Sequence, residues 1–127
     1  MISVWGESDC LTFIADALSR ELGKRYLLPR PAYLAAAKTD TAAAELARLE
    51  HGSVGAAFIA LLDGEVAAGR LNRVLGEHQP NDICLLGASD GARIGIIDND
   101  HRVLVRTRRG TARWDGAPSA AWRLSYA

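Results

Sequence analysis

The chain has 127 residues, 49% of them hydrophobic and 24% charged, with a formal charge of zero. That is enough for one domain with a sizeable core and too little for two, and the balance excludes a disordered or strongly polyanion-seeking chain. The neutrality is a cancellation: residues 91–127 carry seven arginines against three aspartates (+4), and residues 1–90 carry eight basic against twelve acidic side chains (−4).

In chain order, Ser8 and Asp9 supply N-capping side chains, and Phe13, Ile14, Ala17 and Leu18 recur at helical spacing. A helix is predicted from about Asp9 to Leu22, stopped by Gly23. Residues 24–33 contain Pro29 and Pro31 and read as an extended connector. Thr39-Asp40-Thr41 caps a second helix, about Thr41 to Leu49, ended by His51-Gly52. A third, from Val54 to Leu62, is apolar nearly all round, which predicts burial, and Gly64 closes it. Residues 65–75 fit helix or loop equally.

After Pro80 the pattern becomes one of strands. Asp82–Leu86 reads as a short buried strand, Ser89-Asp90-Gly91 as a turn and Arg93–Asp98 as a second strand. Asn99-Asp100-His101 makes a tight hairpin to a third strand, Arg102–Arg106. Arg108-Arg109-Gly110 reads as a further turn, with short strands at 111–114 and 121–124. The expected architecture is α+β: a helical part over about 1–78 packed on an antiparallel meander over about 79–127, as one domain.

Cys10 falls in the first turn of the first helix. Unbonded N–H groups and the positive end of the helix dipole favour a thiolate there, which is how nucleophilic cysteines are placed. Cys84, alternating with apolar neighbours, reads as core. With two cysteines and His51, His78 and His101 there is neither a disulfide framework nor metal-ligand spacing, and no cofactor is implied. No apolar run reaches membrane-spanning length and no export signal opens the chain, so synthesis in the cytoplasm is expected. Trp5 and Trp122 read as core aromatics, and Asp16 with Arg20 as a surface pair at i,i+4.

A helix opening with Asp9-Cys10, followed by a strand with an Ile94-Gly95-Ile96 centre, resembles the NlpC-type cysteine peptidases, papain-like enzymes that cut cell-wall peptides. The ordered set Trp5-Gly6-Glu7-Ser8-Asp9-Cys10, Phe13, Ala15-Asp16-Ala17, Asn81-Asp82-Ile83-Cys84-Leu85, Ile94–Asp98 and Ala121-Trp122-Arg123-Leu124 is similar to a small phage and prophage domain family related to those peptidases. Genes of that family commonly stand among the tail genes of siphophages and gene transfer agents, beside hub and fibre proteins. The resemblance therefore implies a papain-like fold, a virion tail-tip location, and hub or fibre proteins as partners.

Two departures from the pattern bear on chemistry. A turn glycine of the family is Asn81 here, which tolerates the left-handed conformation such a turn needs. The position of the family's base histidine is Arg93, and arginine cannot accept a thiol proton. Placed near the thiol, Arg93 would lower its pKa without replacing the base, and His101 is the surviving base candidate by elimination. The reading is then a degenerate NlpC-type domain acting as a structural tail-tip or baseplate component. Its rival is an active endopeptidase on peptidoglycan peptides, with Cys10 as nucleophile and His101 as base, working as the genome enters the cell. A nucleic-acid binder rests on the arginine count alone and ranks last.

Overall fold

The computed structural model describes residues 10–87, 89, 91–107, 110–114 and 116–125. Ser8, Asp9 and Trp5, and with them the expected N-cap, lie outside the described residues, as do Arg108 and Arg109 of the expected last turn.

Helix α1 (Cys10–Leu22) buries Leu11, Ile14 and Leu18, one stripe at three- and four-residue spacing. It ends at Gly23, whose φ of +79° is left-handed and whose N–H donates to the Ser19 carbonyl at 3.0 Å. The Ser19 hydroxyl then accepts the Tyr26 N–H at 2.8 Å and turns the chain back. After a short 3-10 turn (Ala32–Ala36) comes α2 (Asp40–His51), capped by Thr39, whose Oγ1 accepts the Ala42 N–H at 3.1 Å. Helix α3 (Val54–Ala67) is capped in the same way by Ser53.

Gly64 does not close α3. Its position is exposed, its carbonyl accepts the Ala68 N–H at 3.1 Å, and the helix runs on to Ala67. The extra turn is held from beyond it: Glu65, 3% exposed, accepts hydrogen bonds from Tyr26 Oη at 2.7 Å and Arg70 Nη2 at 2.6 Å. Nor is α3 buried all round, since Ala60 and Ala67 face solvent.

The strands are β1 (Leu71–Arg73), β2 (Ile83–Leu86), β3 (Arg93–Ile97), β4 (Val103–Thr107), β5 (Gly110–Trp114) and β6 (Ala120–Leu124). They form one six-stranded sheet in the order β1-β6-β2-β3-β4-β5, with every pair antiparallel. The architecture is α+β, as expected from the order of helical and strand patterns. Two details differ from the sequence reading. Strand β1 falls inside the stretch assigned to helices, and the meander is incomplete, because β6 returns to lie between β1 and β2.

Strand alternation divides the sheet into two faces. Ile83, Leu85, Ile94, Ile96, Trp122 and Leu124 pack with Ile14 and Leu18 of α1 and Leu62 of α3. On the opposite face Cys84, Leu86, Ile97, Val103, Val105 and Ala121 form a second buried cluster with Val74. Both faces of β2 are therefore buried, which explains its unbroken apolar run. A third cluster, Leu11, Leu34 and Ala43, joins α1 to the 3-10 turn and α2. Gly95 belongs to the second face. A Cβ there would stand 2.5 Å from the Leu104 carbonyl oxygen and 2.8 Å from Val105 Cγ1, so only glycine lets β4 come this close.

Candidate functional site around the first helix

Cys10 is the first residue of α1, half-buried, and packs against both the main core and the cluster shared with α2. Helix α1 lies over β3 and β4. A groove of about 340 Å³ runs beside it, floored by Phe13, Ala17, Ile96 and Leu104 and rimmed by Arg20, Glu21, Asn81, Asp98 and Asn99. The last turn of α1 thus sits by the β3–β4 hairpin. Cys10, eleven residues before Glu21, is about 16 Å back along the axis.

His101 stands in the β3–β4 hairpin, exposed, with φ +61° and its N–H donating to the Asp98 carbonyl at 3.1 Å. It follows Asp98 and Asn99, which rim the groove with Arg20 and Glu21 of the last turn of α1. Arg93 begins β3 and shares strand parity with Gly95 and Ile97, on the face away from Ile14 and Leu18 of α1. It is exposed, and its Nη1 donates to the Ala92 carbonyl at 3.4 Å. Strand parity therefore sets Arg93 on the face of β3 away from Ile14 and Leu18 of α1. Of the histidines, His51 ends α2 at the turn leading to α3, and that turn is tied to the β2–β3 connection by Gly55 N–H to Ser89 O at 3.1 Å. This puts His51, an exposed residue, toward the end at which β3 starts. His78 is in the loop before β2.

Glu21 and Asp98 rim the groove, whereas Asp82 and Asp63 hold strands. Asp82, 1% exposed, receives Arg123 Nε at 2.7 Å, Arg123 Nη2 at 2.8 Å and the Gln79 N–H at 2.8 Å, which clamps β6 to the entrance of β2. Asn81, just before it, has φ +74°, the left-handed conformation expected of a residue standing in for glycine. Asp63 accepts Arg73 Nε at 2.9 Å and Trp122 Nε1 at 3.0 Å, and the Arg73 guanidinium lies 4.9 Å over the Trp122 ring. Burial works to raise the Asp63 pKa, but the bonds from Arg73 and Trp122 outweigh it and hold the carboxyl below its usual range. Burial, followed by the hydrogen bond to Glu65, pushes the Tyr26 hydroxyl far up. Asp98 is held low, first of all by the Arg102 N–H, and also by the Asp100 N–H and by Arg113.

Cys84 is fully buried, and burial pushes its thiol up to about 12. Cys10 is thus the one of the two thiols placed for chemistry. Among the described residues no group of three or more His, Cys, Asp or Glu side chains is placed to hold a metal ion, and no helix is long and apolar enough to cross a membrane. The sequence reading missed the Asp63–Arg73–Trp122 and Glu65–Tyr26–Arg70 clusters. Each joins residues far apart in the chain, and no local pattern marks them.

A family model described as Domain of unknown function (DUF6950) matches residues 2–124, and the chain belongs to this family. No curated protein and no solved structure matches it.

Proposed function

We propose, for this member of the DUF6950 family, a degenerate NlpC-type domain that serves as a structural component of a phage or phage-like tail tip or baseplate and binds hub or fibre proteins in the virion. The observation that carries the reading is the mismatch around Cys10. A half-buried thiol begins a helix packed on an antiparallel sheet, while the residue at the expected base position, Arg93, faces the other side of that sheet. A cysteine peptidase needs its base within hydrogen-bond reach of the sulfur and its cleft at the same place. Here the groove begins one turn beyond Cys10 and extends to the far end of α1. In this reading the scaffold of a nucleophile is kept, and the expected base position is filled by an arginine, which cannot accept the thiol proton.

The rival reading, a cysteine endopeptidase acting on cell-wall peptides, draws on the same helix start and on the α2–α3 turn that carries His51 toward that end of the sheet. One pair of measurements separates them. Co-expression with the tail hub protein encoded beside its gene should give co-purification that survives Cys10→Ala. Incubation of the purified chain with muropeptides should leave them intact. Cleavage that Cys10→Ala abolishes would replace the structural reading with the enzymatic one, and loss of co-purification in that variant would make the thiol part of the interface.

A further inference from the structure

Strand β5 is the one strand whose described side chains all lie outside the core. Thr111, Ala112, Arg113 and Trp114 are exposed on both faces of the ribbon, whereas Val103 and Val105, opposite Trp114 and Ala112 on β4, are buried. β5 is also an edge of the sheet. It pairs with β4 at every residue from Gly110 to Trp114 without a bulge, and it contains no proline. Its outer side therefore offers a straight row of backbone donors and acceptors, the template on which another strand can add.

The stretch of sequence that holds this strand is predominantly basic. Residues 106–115 contain four arginines and one aspartate. Extending the stretch back to the β3–β4 hairpin, residues 98–115 hold five arginines against three aspartates, a balance of +2. Asp98 and Asp100 both pair with Arg113: Asp98 Oδ2 accepts Arg113 Nε at 3.2 Å, and Asp100 Oδ2 lies 3.8 Å from Arg113 Nη2.

We propose that the outer edge of β5 accepts an extended, acidic segment of a partner protein as a seventh strand. Main-chain hydrogen bonds supply the register, and acidic side chains answer the arginines. Trp114, 49% exposed, offers the apolar contact at one end. A second copy of the chain is the poorer occupant, because pairing β5 with itself would set the two arginine stretches against each other. Nucleic acid would meet the charges and leave the backbone row unanswered. The inference rests on the tail-tip reading only for where the partner is found.

The test uses the full chain, labelled with nitrogen-15, and a decapeptide alternating valine and glutamate. The glutamate peptide should slow hydrogen exchange about tenfold or more at alternate amides between Thr111 and Trp114, since half of an antiparallel edge faces outward. Binding should weaken about tenfold from low salt to moderate salt, as screening requires. The variant Arg108→Glu/Arg109→Glu, unchanged in far-ultraviolet circular dichroism, should lose about tenfold in affinity. Four results would overturn the proposal: an equal response to the lysine counterpart of the peptide, protection that appears elsewhere in the sheet, displacement of the peptide by a short DNA duplex, or self-association that protects β5 without peptide. The synthetic strand needs no hub protein, so failure here leaves the co-purification result standing. Failed co-purification beside a positive peptide titration would reject the tail-tip partner and keep the edge.

Discussion

Replacing Arg123 by methionine tests the claim that the Asp82 motif is a structural clamp. Asp82 is 1% exposed and takes two hydrogen bonds from Arg123, at 2.7 and 2.8 Å, leaving the Gln79 N–H as its remaining partner. Removing one partner of a buried ion pair costs about 3–5 kcal/mol, because the other charge stays buried and uncompensated. The Arg123 side chain is 34% exposed, so water can take over part of its role, and the low end of that range, about 3 kcal/mol, is expected. With a urea m-value of about 1.5–2 kcal/mol/M for a chain of this size, the unfolding midpoint should fall by about 1.5–2 M. Asp82→Asn in the Arg123→Met background should recover part of the loss, since it removes the stranded charge. A single-variant loss below about 1 kcal/mol, with an unchanged m-value, would refute the reasoning and return Asp82 to the list of groups available for chemistry.

Three further outcomes are expected. Gly95→Ala should destabilise by about 2–3 kcal/mol in chemical denaturation, because the obstacle to the new methyl is the Leu104 carbonyl on the paired backbone and not a movable side chain. Iodoacetamide on the folded chain should modify Cys10 and leave Cys84 intact until denaturant is added; equal labelling of both in intact-mass spectra would contradict the burial of Cys84. Asp63 has its folded-state pKa held low, so its stabilisation is complete above the unfolded carboxylate value of about 3.9 and is lost as pH falls through the folded value. The stability gap between wild type and Asp63→Asn should therefore be full at neutral pH and close below about pH 4, and a constant gap down to pH 2 would show that the Arg73 and Trp122 bonds do not act through the charge.

How much of this was legible beforehand follows from the range of the interactions. Thr39, Gly23 and Gly52 announce helix ends because a cap acts on residues within one turn of itself. Gly64 misled for the same reason: glycine permits a helix to end, but Glu65, bound by Tyr26 39 positions away, carries it on. Strand β1 is only Leu71–Arg73, too short for a period, and it exists because Leu71 pairs with Leu124 across more than fifty residues. The candidate site divides in the same way. The thiol at a helix start could be read from Cys10 and the apolar spacing after it. The facing of Arg93, away from Ile14 and Leu18 of that helix, depends on how β3 pairs with β2 and β4.

Taken alone, the sequence determined the α+β class, the thiol at the head of the first helix, the burial of Cys84 and Trp122, and the charge contrast between the two parts of the chain. These follow from composition, periodicity and capping, which are local. The tertiary structure alone decided that β6 lies between β1 and β2, that Arg93 and the thiol belong to opposite faces of β3, and that β5 is left as an exposed edge. Pairing order and facing depend on which distant strands exchange hydrogen bonds. A one-residue change of register would reverse the facing of every side chain without altering a letter of the pattern.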